Sequence, residues 1–351
     1  MKKNIVELNV VKAIAILAVV LIHVTADPRG ALKWGEVSAP FYLMANQLSM
    51  FAVPVFILIN GLVLFYRYHD DWSYKQALTF YKKRIQYIVI PYLVWSAIYY
   101  MYRPFLNTKT IYFDLKEYLA LLPWGEAGYH TYFMVIVIQL YIMFPILMTI
   151  VKKLKFKPYH MVILGLVVKG IFYYINRYVD RIEHAAALIP NYFIVFCVGA
   201  AIGMAYQSFS EKYIQVWWTF GLAITVGFTY ILAILSAQSG GYIGSLAYNI
   251  LYNSYAVLMG ISLIWIGKIV CDRSPSAFVT KGLLGLGAAS FGIYLIHPAI
   301  LSTWGKFMKP ELGSPYFHVY YLGTFLLVLA LSWLIVHFTK KIKFSWLLWG
   351  R

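Results

Sequence analysis

A chain of 351 residues that is 62% hydrophobic and only 12% charged, with 31 Tyr, 23 Phe and 11 Trp, is too apolar for a soluble domain of that length. Apolar runs of about 20 residues recur from end to end, each long enough to cross a bilayer, and none has the alternation of a barrel strand. The chain is therefore read as all-α, a polytopic integral membrane helical bundle, and its formal charge of +17 is assigned to cytosolic loops rather than to a nucleic-acid surface.

The first run, Leu8 to Thr25, organises the rest. Lys2 and Lys3 before it and Val24-Thr25-Ala26 at its end imitate a secretory signal. Lys12 and His23 interrupt such a signal badly, so the run is read as a span. These two residues lie eleven apart, about three helical turns, which puts them on one face roughly 16 Å apart along the axis. A cation inside a membrane helix is costly unless it faces protein or water. Two readings stay open: the face lines a polar path through the protein, or Lys12 snorkels to one interface while His23 rests near the other.

Nine further spans follow, giving ten in all, at about 8–25, 41–65, 85–102, 129–151, 160–176, 190–206, 216–236, 246–267, 285–305 and 317–339. With both termini cytosolic, the inner segments collect twenty basic residues against nine in the outer loops, and Lys169 is left inside span five. The inner set includes Lys82-Lys83-Arg84 and the closing cluster Lys340, Lys341, Lys343 and Arg351. No inverted repeat is visible, and one domain over 1–351 with no fused soluble domain is expected. Cys197, inside a span, and Cys271, in a loop, give neither metal spacing nor a convincing disulfide.

On that topology His23, His130 at the start of span four and His297 in span nine fall at the outer leaflet. Ser290, Tyr294 and His297 are four and three residues apart, so they share a side of their helix. Three histidines suit either a metal site or acid–base work. Their spacing supplies no close ligand pair and no carboxylate lies within these spans, so no metal is assigned. An imidazole with a near-neutral pKa suits removal of a proton from a hydroxyl. Asn60, Gln139, Asn249 and Asn253 are expected to join helices. Lys82, Lys83 and Arg84 read either as positive-inside anchors or as a phosphate-binding collar.

These residues resemble the membrane-bound acyltransferase-3 family, integral-membrane O-acyltransferases of cell-surface polysaccharides, over nearly the whole chain. Asn9 to His23 is similar to the family's basic-x10-His signature, with Lys12 where arginine is usual. Phe51 to Leu64 resembles its Ser-Gly span, with Asn60-Gly61 in place of Ser-Gly. Phe80 to Leu93 resembles its Arg-x-x-Arg…Pro entry, with Arg84 present and Tyr87 in place of the second arginine. His130-Thr-Tyr-Phe133, with Tyr141 and Pro145 downstream, and Ser290 to His297 complete the set.

The resemblance implies transfer of a short acyl group, commonly acetyl, from cytosolic acyl-CoA to a hydroxyl of an envelope glycan. No resident cofactor is implied; acyl-CoA (acetyl-CoA) is the donor substrate, membrane lipid the surroundings, and proteins of a glycan-assembly pathway are possible partners. His23 would be the base or a transient acyl carrier, and Lys12 would stabilise donor or oxyanion charge. His297, Tyr294, His130 and Asn60 would orient, and Arg84, Lys83 and Lys82 would hold the donor. The competing class is a transporter or flippase of lipid-linked or surface saccharides.

Overall fold

The computed structural model describes residues 2–350; Arg351, of the closing basic cluster, lies outside them. The described residues are mostly helical, with no β-strand among them. In order the helices are α1 (Leu8–Ala31), α2 (Ala39–Ser49), α3 (Ala52–Tyr68), α4 (Tyr74–Arg84), α5 (Ile90–Thr108), α6 (Leu115–Leu121), α7 (Tyr132–Lys153) and α8 (Pro158–Tyr174). They continue with α9 (Phe193–Met204), α10 (Tyr206–Glu211), α11 (Trp218–Gln238), α12 (Ser245–Arg273), α13 (Phe278–Met308), α14 (Phe317–Thr339) and α15 (Trp346–Trp349). Every expected span coincides with helix.

Among the described residues eight stretches are long and apolar enough to cross a membrane, Ala39–Tyr68 being one of them. The other two expected spans fall short for different reasons. The 12 residues of α9 reach only about 18 Å of the ~30 Å hydrocarbon core. Residues 85–102 begin in a π-helical segment, Ile85–Val89, and continue into α5, whose tyrosines dilute the hydropathy.

The Cα framework divides into two compact units: residues up to Ile59 with Gln207–Ile335, and Asn60–Tyr206 with Val336 onward. In the first unit α13 lies directly on α1: a Cβ added at Gly287 would run into the Asn9 carbonyl oxygen. The span Ala39–Tyr68 is broken at Met50–Phe51. Pro54 explains the break, because it has no N–H for the Met50 carbonyl, four residues back. The Tyr252 hydroxyl donates to that carbonyl at 3.3 Å, and the Tyr255 hydroxyl donates to Leu48 O at 2.8 Å. Tyr230, fully buried, donates to Gln47 Oε1 at 3.0 Å. Tyrosines of α11 and α12 thus fasten the C-terminal end of α2.

In the second unit Phe65, Phe80, Phe144 and Phe196 form a buried aromatic core. Phe65 meets Phe144 edge-on at 5.8 Å, and Phe80 lies 5.0 Å from Phe144. Gly61 lets α3 touch α9, since a Cβ there would strike the Phe196 carbonyl oxygen. Gly61→Ala is expected to cost about 1–3 kcal/mol through overpacking, read as a lower melting temperature in detergent.

The intramembrane polar residues divide by role. Gln139 joins α7 to the segment before α9, donating to Ala187 O at 2.9 Å and accepting from Ile189 N at 3.1 Å. Lys169 donates to both Asn191 O and Asn191 Oδ1, at 2.9 and 2.6 Å. Asn249 and Asn253 instead turn back on the carbonyls of Ser245 and Asn249 in their own helix, the local bond a short amide makes most easily.

Candidate active site

His23 stands in the C-terminal half of α1, half-buried, and His297 in α13 is fully buried. Their ring centroids are 5.2 Å apart with the planes tilted by 34°. Because Asn9 meets Gly287 and His23 meets His297, α1 and α13 run in the same direction, and their contact continues from the glycine to the imidazoles. His297 Nδ1 is 3.0 Å from Ile293 O. A carbonyl only accepts, so the neutral ring carries its proton on Nδ1 and leaves an acceptor lone pair on Nε2.

Ser290 and Tyr294 are buried on the same helix, and the Tyr294 ring lies 6.3 Å from His297. Pro298 follows at once; lacking an N–H, it cannot donate to the Tyr294 carbonyl, so the α13 turn beside His297 differs from a regular one.

Lys12 is half-buried. On its face of α1 the interval up to His23 is occupied by Ile16, Val19 and Val20, all buried. That stretch of α1 adds no polar side chain to a path. Asp27, one turn beyond His23, accepts from Tyr321 OH and from Lys309 Nζ at 2.8 Å. It ties the end of α1 to the end of α13 and to α14.

The remaining expected residues belong to the second unit. Arg84 lies with its guanidinium carbon 4.9 Å from the Phe80 ring centre and 4.5 Å from that of Tyr141. Asn60 Nδ2 donates to the Tyr141 hydroxyl at 3.1 Å, so Arg84 and Asn60 meet on one tyrosine. Lys82 and Lys83 are exposed in the last turn of α4, where the helix dipole favours cations. The π-helical segment Ile85–Val89 widens the turn after Arg84 and accommodates Pro91, whose ring would crowd the Tyr87 carbonyl in a regular helix. Tyr87 then meets Trp346 of α15, at 6.5 Å, rather than sharing Tyr141 with Arg84. His130 is buried, edge-on to Tyr99 at 4.9 Å. It is fixed by a tight turn in which Thr131 Oγ1 donates to the carbonyls of Gly125 and Gly128.

Asn46 was not among the residues the sequence singled out. It is buried, and its Nδ2 donates to Ile22 O at 2.8 Å and to Thr25 Oγ1 at 3.1 Å, on either side of His23. The available signal was an amide inside an apolar run.

Fold and geometry define a multi-pass membrane protein with paired imidazoles on two helices that run side by side in one direction. The chain belongs to the acyltransferase-3 family, whose model, described as an acyltransferase domain, matches residues 5–337. It is similar to a probable poly-beta-1,6-N-acetyl-D-glucosamine export protein of Staphylococcus aureus (strain MRSA252), 25% identical over 318 residues, covering 86% of this chain and 84% of the relative. A protein of the same description from Staphylococcus epidermidis is 23% identical over 324 residues, covering 86% and 83%. No solved structure matches this chain.

Proposed function

We propose that this protein is a membrane O-acyltransferase of the bacterial plasma membrane, moving an acetyl group from cytosolic acetyl-CoA to a hydroxyl of an envelope glycan at the outer face. The observation that carries this reading is the His23–His297 pair, with rings 5.2 Å apart on packed helices. In the proposed reaction His23 takes the proton of the acceptor hydroxyl as its oxygen bonds to the thioester carbonyl carbon. The tetrahedral adduct then collapses, the C–S bond breaks, and the CoA sulfur leaves with the proton that His23 returns. His297 and Tyr294 hold the acceptor or the His23 ring.

Lys12 acts on the donor. At roughly 16 Å from His23, a unit charge would stabilise an oxyanion there by only ~1 kcal/mol even at an effective dielectric of about 20. Its place is against CoA. Lys12→Ala is accordingly expected to raise the KM for acetyl-CoA more than it lowers kcat, whereas Lys12→Arg keeps activity, both read from initial rates.

The relatives' description as export proteins favours a second reading, translocation of a saccharide. Purified protein in detergent with labelled acetyl-CoA and saccharide acceptors separates the two. Transfer with no second compartment supports the enzyme. Saccharide translocation in vesicles that needs no acyl-CoA and survives His23→Ala would establish the transporter instead.

A further inference from the structure

The turn of α1 that carries His23 is weak as a helix. Pro28 has no N–H to give to the Val24 carbonyl. Thr25 Oγ1 donates back to Leu21 O at 2.6 Å, a bond that tends to bend a helix. This turn is secured from α2. The Asn46 amide donates to Ile22 O, the carbonyl immediately before His23, and to Thr25 Oγ1, while its Oδ1 accepts from Arg29 Nη1 at 2.9 Å. Arg29 only donates, so it fixes which way the amide points: oxygen to the guanidinium, nitrogen to α1.

Ile22, Thr25 and Arg29 lie on the side of α1 away from the His23 face, so Asn46 grips the helix from behind. The grip is itself anchored. Gln47, Leu48 and Met50, the next residues of the same segment, accept from Tyr230, Tyr255 and Tyr252 of α11 and α12.

We propose that Asn46 is a positioning residue that sets the placement of the His23 ring against His297 by holding the Ile22 carbonyl. The mechanistic consequence rests on the acyl-transfer reading above; the positioning itself does not. A rigid stop at this carbonyl determines both the rotation and the height of the imidazole, and misplacement of a reacting group by about 1 Å can cost on the order of a hundredfold in rate.

The test uses full-length protein in detergent and compares Asn46→Ala, Asn46→Asp and Arg29→Ala with wild type. Asn46→Asp keeps the contact to Arg29 and nearly the same shape, but replaces the nitrogen that donates to Ile22 O and Thr25 Oγ1 with an oxygen that cannot donate to the Ile22 carbonyl. Two quantities are read: kcat and KM for acetyl-CoA, and the initial rate of diethylpyrocarbonate modification at each histidine by peptide mass spectrometry.

Asn46→Ala and Asn46→Asp are both expected to lose about ten- to a hundredfold in kcat with KM nearly unchanged. The rate of modification at His23 changes while that at exposed His184 stays constant. Arg29→Ala, at an exposed position, gives a smaller loss in the same direction and keeps the test open should Asn46→Ala fail to fold. An Asn46→Asp protein with wild-type kcat and wild-type His23 reactivity overturns the proposal. If wild-type protein transfers no acyl group, the acyl-transfer reading falls, and His23 reactivity alone still decides whether Asn46 positions the ring.

Discussion

His23→Ala is expected to bring acyl transfer down by about 10²- to 10⁴-fold, the range a positioned general base contributes, with acetyl-CoA binding largely retained. The ring is half-buried, so its removal leaves the packing of α1 on α13 mostly intact and the melting temperature close to that of wild type. His297→Phe is the sharper companion. It fills the space of a fully buried ring while removing both nitrogens, so a loss of turnover reports the Nε2 lone pair or the Nδ1 bond to Ile293 O rather than the volume. A smaller loss than for His23→Ala is expected, because His297 orients and does not itself take the hydroxyl proton. Initial rates with labelled acetyl-CoA and a saccharide acceptor measure both. Wild-type turnover in His23→Ala removes the assignment of a base.

How much of this could be read in the sequence depends on whether a feature is periodic or tertiary. Hydrophobic runs gave the helical bundle, and helical spacing put Ser290, Tyr294 and His297 on one side of α13, where all three are buried. That His23 faces His297 needed the third dimension, because no spacing within α1 names the helix it packs against. The break after α2 falls inside a run read as one continuous span, 41–65, although Pro54 lies in it, and its stabilisation by Tyr252 and Tyr255, some 200 positions along the chain, has no local signal. Arg84 and Tyr87 looked like one motif at three-residue spacing; the π-helical segment between Arg84 and α5 gives them different neighbours. Lys169, inside an apolar run, could be read either as a cation lining a path or as one bonded to carbonyls; its ammonium donates to Asn191 O and Oδ1, which accounts for it as a clasp on the turn before α9.

The pairing of His23 with His297 also explains why Gly287 should be among the least replaceable residues in the first unit. An added Cβ would overlap the Asn9 carbonyl oxygen and lie 2.6 Å from the carbonyl carbon and 2.9 Å from Cα, all backbone atoms that cannot swing aside. The two helices must separate or tilt, and the strain appears roughly 15 Å further along, where the imidazoles meet. Gly287→Ala is therefore expected to lose stability by about 1–3 kcal/mol and turnover by on the order of a hundredfold, and Gly287→Val to lose more of both. Gly285, on the same helix, has nothing within 4 Å of an added Cβ. There alanine should be neutral, or stabilising by up to about 1 kcal/mol through helix propensity. Thermal unfolding in detergent together with acyl-transfer rates makes the comparison. Equal melting temperatures for Gly287→Ala and Gly285→Ala would mean that the α1–α13 approach is looser than described, and that the imidazole pair is set by something other than backbone contact.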